Sequence, residues 1–191
     1  MMDRAVIIGV FENFGFQLCN RILETGLEVD GIHLEQGKDK SKAEERRLYI
    51  GRNANFSESE MKNFDLELLK KEGTFLFIDL CEQFRDAAKP ATELEALNNI
   101  IANFRSKKGK VIFLLPISLL VNTRIEPHPW LEKVFDLLRH KEIPFKLFYF
   151  PSSSWEFEVE NESSIRENEI TQEYINDLIH AVMKLADATH G

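Results

Sequence analysis

Apolar and polar positions along this chain fall into short blocks whose period changes from one block to the next. Residues 5–10 (AVIIGV) form an unbroken apolar, β-branched run, the pattern of a strand buried on both faces. Leu18, Ile22 and Leu23 then recur at helical spacing, and Gly26 stops that helix. Residues 29–34 alternate like a second strand. Residues 37–47 (GKDKSKAEERR) mix both charges without an apolar face and predict an exposed loop or frayed helix. Leu48, Tyr49 and Ile50 follow as a short third strand. Ser57 and Glu60 make a capping box for a helix carrying Met61, Phe64, Leu68 and Leu69, which Gly73 breaks. Residues 74–80 (TFLFIDL) are a buried strand, with Asp79 near its end expected as a cap or ion-pair partner.

The second half repeats the alternation. Pro90 and Thr92 start a helix with a Thr92–Glu95 capping box, and Leu94, Leu97, Ile101 and Phe104 lie on one face. The basic residues 105–110 suit its C-terminus. Residues 111–115 are the next buried strand, with Pro116 where ladder pairing finishes. Residues 127–140 predict a helix, and Phe145–Phe150 a strand after Pro144. Residues 152–169 are polar and acidic, with strand-like alternation only around 155–159. Thr171 caps a last helix striped by Tyr174, Ile175, Leu178, Ile179, Val182 and Leu185. Strands alternating with helices mean an α/β fold: a mainly parallel, doubly wound sheet in three layers, helices on both faces. No repeat, linker or low-complexity tract divides the chain, so residues 1–191 read as one domain.

Composition narrows the function. The 191 residues are 43% apolar and 29% charged, an ordinary globular balance, and the net charge of -8 argues against a nucleic-acid surface. Cys19 and Cys81 offer neither a disulfide framework nor a zinc spacing, which points to a reducing compartment. Without a leader pattern or an apolar run of membrane-spanning length, a cytoplasmic protein with no membrane partner is expected. Fifteen phenylalanines against three tyrosines favour core packing over polar recognition. No histidine sits at a metal-ligand spacing, so no metal is expected.

The opening strand–turn–helix–strand is a Rossmann-type unit, whose first turn aims backbone N–H groups and a helix N-terminus at a pyrophosphate. GVFENFGFQL, followed by RILETGLEVDGIHLE, resembles the start of the extended and atypical short-chain dehydrogenase/reductases, the NAD-dependent epimerase/dehydratase group. Their turn reads G-x-x-G-x-x-G. Here Gly9 and Gly15 match the first and third glycines, Glu12 replaces the second, and Phe14 lies within the turn. A carboxylate at that middle position fills the space of the phosphates and repels them. The resemblance puts His33, with Glu35 two residues on, where a ribose-binding acid stands. It also puts Asn53 or Asn55 at the adenine-side turn, and Cys81 with Glu82 beside the phosphates. Two acids at the phosphate position predict that NAD(P) does not bind tightly. The extended members' C-terminal substrate lobe is absent or reduced to residues 152–169.

The family's chemistry uses a serine, a tyrosine and a lysine. The tyrosine exchanges the proton, and the lysine lowers its pKa. By resemblance, Ser118 in PISLLVN falls on the serine and Lys133 in PWLEK on the lysine, but Pro129 occupies the tyrosine position. A proline exchanges no proton, so Ser118 reads as a turn residue and Lys133 as a solvated lysine. His128 is the one imidazole near the missing tyrosine, with capping as its bland role. Trp130 and Trp155 either line the cleft or pack in the core. The leading expectation is a degenerate, non-catalytic binding or regulatory module with an unknown small-molecule or protein partner. The alternative is an atypical NAD(P)-dependent oxidoreductase or epimerase/dehydratase. A third reading has the crevice bind some other small ligand. A homodimer through the helices at 92–104 and 129–140 is also expected, because Trp130, Leu131, Val134, Phe135, Leu137 and Leu138 exceed one buried stripe.

Overall fold

The computed structural model describes residues 2–34, 40–80, 91–116 and 129–150, with five further positions between 173 and 181. Six strands run in the order β3-β2-β1-β4-β5-β6, every neighbouring pair parallel. They are β1 (Arg4–Ile8), β2 (Glu28–His33), β3 (Phe56–Glu60), β4 (Thr74–Asp79), β5 (Val111–Pro116) and β6 (Phe145–Phe150). The helices are α1 (Asn13–Glu24), α2 (Lys40–Ile50), α3 (Ala91–Asn103) and α4 (Pro129–His140). Two 3-10 turns, Met61–Asn63 and Leu66–Lys70, join β3 to β4. This is the expected Rossmann-type α/β architecture.

Strand parity divides the core. Ala5, Ile7, Phe75, Phe77, Ile112 and Leu114 face α1 and α2 with Phe14, Leu18 and Ile50. Val6, Ile8, Leu76, Ile78, Val111 and Phe113 face α3 and α4 with Ile101, Phe104, Val134 and Leu138. Each face of the three central strands is therefore sealed, which is why these strands read as continuous apolar runs. A fully buried large side chain contributes about 1.5–3 kcal/mol by leaving water.

Residues 48–69 differ from the sequence-based expectation. Leu48, Tyr49 and Ile50 end α2 instead of forming a strand, with Ile50 buried and the other two exposed. Residues 40–47 are the body of that helix, an exposed one. Ser57 and Glu60 do not cap a helix but lie in β3, in register with Asp30 and His33 of β2. Pairing with β2 overrides a capping pattern that an edge strand with one polar row happens to match. Asp30, buried on that edge, takes hydrogen bonds from Ser57 and Arg4. Phe64 and Leu69 are buried, as a core stripe should be, but Phe64 lies in the extended link between the two 3-10 turns and Leu69 in the second.

The apolar positions of α4 pack against the sheet and α3, with Phe135 and Leu137 only half-buried. Trp130, Leu131, Val134 and Leu138 are buried, Phe135 stacks on Phe145, and Leu137 packs against the same core. On α3, Ile100 is only 2% exposed. Among the described residues no helix is long and apolar enough to cross a membrane.

Cys19 is buried in α1, and burial pushes its thiol up to about 12. At neutral pH it holds its proton and is inert to thiol reagents. In a Cys81→Ser variant, a disulfide reagent at pH 8 should therefore label no thiol in the native protein and one after denaturation. Native labelling at the rate of a free thiol contradicts the burial.

Candidate functional site

The crevice lies where β1, β2 and β4 end at their C-terminal edges and α1 begins. Gly9 turns the chain with φ +83°, a left-handed conformation that favours glycine, and its N–H donates to Ile32 O at 2.9 Å. Glu12 N–H then donates to Gly9 O at 2.9 Å, closing the turn onto the helix. A Cβ on Gly15 would lie 2.1 Å from Gly9 O, a backbone atom with no room to retreat. The first and third positions of the turn thus require glycine for close packing, as the motif implies.

The middle position behaves differently. Glu12 is half-buried at the N-cap position of α1, extended at φ −67° and ψ 163°, and its side chain caps no helix N–H. The capping acid comes from elsewhere. Asp79, 2% exposed at the end of β4, accepts the Gly15 N–H on Oδ2 at 3.0 Å. Parity explains the reach: Asp79 shares a strand face with Phe75 and Phe77, which point at α1. A carboxylate at a helix N-terminus is the charge that the helix dipole favours. Asp79 is thus a cap, one of its two expected roles, and its carboxyl is the acceptor for an N–H in the first turn of α1.

The β2 side of the crevice is crowded by its own side chains. Phe14 and Phe11 are buried at 1% and 6% exposure. The Phe11 ring lies 6.3 Å from the His33 ring, with the Arg47 guanidinium 5.2 Å from its centroid. Arg47 forks onto both oxygens of Glu58 at 3.0 Å and also reaches Glu44 at 2.9 Å. These acids, led by the Glu58 hydrogen bond, hold its guanidinium above its ordinary pKa. His33 Nδ1 lies 3.1 Å from Glu58 Oε1 without the alignment of a hydrogen bond. Arg46 donates to Phe11 O at 2.7 Å, within the glycine turn, with its charge over the Phe16 ring at 5.5 Å.

Phe11, Arg46, Arg47 and Glu58 were not among the sequence-predicted site residues. A period-2 reading of FSESE as an edge strand would have placed Glu58 on the face it shares with Glu60, the register partner of His33. His33 does stand at the end of β2, at the crevice. Asn53 and Asn55 do not reach it. Asn53 Oδ1 accepts the Asn55 N–H, and Asn55 Nδ2 donates to Gly26 O, both before β3 and so at the opposite edge of the sheet. Lys133 is exposed on α4, and Pro129 is that helix's exposed first residue. Trp130 packs in the core and donates to Asn98 Oδ1 at 3.1 Å. Ser118, His128, Glu35, Cys81 and Glu82 lie outside the described residues, as does Trp155. Among the described residues no cluster of histidine, cysteine and carboxylate groups has the arrangement of a metal site.

No family model matches the chain. It is 34% identical over 84 residues to the uncharacterized protein YjaV of Bacillus subtilis (strain 168), covering 41% of this chain and 44% of that protein. Among solved structures it is similar to the yeast methylglyoxal/isovaleraldehyde reductase Gre2 complexed with NADPH. The TM-score there is 0.52 at 12% identity, over 78% of this chain and 57% of that one. It is also similar to AtPrR2 with NADP+ and (+)pinoresinol, with a TM-score of 0.53 at 13% identity, over 78% and 50%. The chain spans about half the length of these structures and less than half of YjaV. At these identities the likeness shows the fold, a Rossmann-type fold shared with a reductase solved with NADPH and a protein solved with NADP+.

The turn's packing predicts a graded response to substitution. Gly15→Ala should lower stability by more than about 2 kcal/mol, since neither backbone segment can yield. Asp79→Ala should cost about 1–3 kcal/mol by leaving a buried N–H without its acceptor, and Asp79→Asn less. Urea unfolding measures all three, and equal losses for Asn and Ala at position 79 contradict the capping role.

Proposed function

We propose that this protein is a non-catalytic Rossmann module that binds or senses a ligand or partner, and that it holds neither NAD nor NADP tightly. One observation carries the reading: the Gly15 N–H at the mouth of α1 is taken by the buried Asp79 carboxylate. Like charges about 5 Å apart repel by about 3 kcal/mol at an effective dielectric near 20, roughly a hundredfold in affinity. Glu12 adds a second acid to the same turn. By the family resemblance, Pro129 replaces the acid/base tyrosine, and Lys133 is solvated instead of lowering a phenol's pKa.

The second reading, an atypical NAD(P)-dependent oxidoreductase or epimerase/dehydratase, is favoured by the fold's likeness to reductases and by the intact Gly9–Gly15 approach. In that case the dinucleotide would meet Gly9, Phe14, Gly15 and His33. That set includes one fully buried side chain, Phe14, and a turn whose Gly15 N–H already has an internal acceptor, which is a poor fit.

Calorimetric titration with NADPH and NADH separates the readings. The expected result is no saturable binding at micromolar concentrations in the wild type, and at least a tenfold gain in affinity in a Glu12→Gly, Asp79→Asn double variant. Micromolar binding by the wild type would overturn the proposal and favour the reductase. Screening carbonyl and sugar-nucleotide substrates with cofactor should likewise show no turnover that depends on Ser118 and Lys133; an activity abolished by both Ser118→Ala and Lys133→Ala contradicts the non-catalytic reading.

A further inference from the structure

Two large apolar side chains are exposed among the described residues, Leu48 at 61% and Tyr49 at 66%, and both lie in the last turn of α2. A single exposed leucine is ordinary; adjacent ones that a third ring extends make a patch. Tyr49 sets its ring edge-on to Phe16 of α1 at 5.8 Å, and Phe16 is itself only half-buried. The two helices thus share one apolar strip at the surface. The next residue, Ile50, is buried in the core, so the strip is separate from the face that α2 turns to the sheet.

Charge around the strip follows a particular order. Glu45 precedes Leu48 by three residues, and Arg52 follows Tyr49 by three. That spacing puts an acid one turn before the strip and a base one turn after it. Arg52 lies in the turn that closes α2, where the Gly51 N–H donates to Arg47 O at 2.9 Å. Arg47 holds both Glu44 and Glu58. Glu45 and Arg52, by contrast, are exposed, and neither makes an ion pair among the described residues.

We propose that this strip is the interface of a homodimer, in which α2 packs antiparallel on α2 of a second copy. A twofold axis midway between Leu48 and Tyr49 sets Leu48 of each copy against Tyr49 of the other. The same axis sets Glu45 of each copy against Arg52 of the other. An isologous interface needs a surface complementary to itself, and the order acid, apolar, apolar, base is so when two helices run antiparallel. An unrelated partner would have to supply that order in reverse; a second copy carries it already. The face is distinct from that of α3 and α4. One helix per copy is a small contact, of the weak and transient class.

Sedimentation equilibrium on the full chain tests this up to about 200 micromolar protein, a range suited to a small contact. The wild type should associate to a dimer. Glu45→Arg and Arg52→Glu each set like charges opposite one another at both ends of the interface, so each variant alone should dimerise about tenfold more weakly. Mixed in equal amounts, the two variants should form a heterodimer about as tight as the wild-type dimer, because every opposed pair then has opposite signs. A folding defect cannot produce that recovery. A wild-type monomer throughout the range overturns the proposal. So does a dimer that either single variant leaves unchanged, or a mixture that stays as weak as its components.

Discussion

The hydrogen bond from the Gly15 amide to the Asp79 carboxylate sets how the first helix meets the sheet, and the character of the crevice follows from it. The bond needs Gly15 close enough to Gly9 O that no side chain fits between them. It needs Asp79 on the α1 face of β4, which strand parity supplies. Given both, one N–H at the positive end of α1 has its acceptor within the protein. The glycine spacing lets the first helix dock closely on the sheet.

The neighbouring wall follows the same logic. Phe11 fills the space above the end of β2, Arg47 covers it, and Glu58 from β3 holds Arg47 through a forked pair. Arg46 spends a donor on the carbonyl of Phe11. The charged and aromatic groups of this wall thus contact one another. The Rossmann architecture is compatible with either outcome, which is why likeness to reductases at 12–13% identity settles the fold and leaves the activity to the site.

Legibility in the sequence tracked burial. Strands sealed on both faces, such as RAVII and TFLFID, have no amphipathic alternative and were read correctly, as was α1 with its single apolar stripe. The edge was not. α2 has almost no apolar face, and β3 is mostly exposed, so local patterns such as Leu48–Ile50 or Ser57/Glu60 carried a signal that pairing with β2 reversed. The site was half legible. The glycine spacing and Glu12 stood in the sequence, and Asp79 as a cap was an open reading. Its partner Gly15, 64 residues away, emerges only once β1 and β4 are neighbours. The cluster of Phe11, Arg47, His33 and Glu58 needed the true third strand, and so stayed hidden behind the misread edge.

The central claim is that the anion position at the mouth of α1 is filled from within. Amide NMR of the Gly15 N–H during a titration with NADPH addresses it most directly. The account predicts that this resonance stays fixed to millimolar NADPH in the wild type, and that it moves on removing the carboxylate in Asp79→Asn before any ligand is added. A saturable shift of Gly15 and its neighbours in the wild type, with a micromolar midpoint, would contradict it.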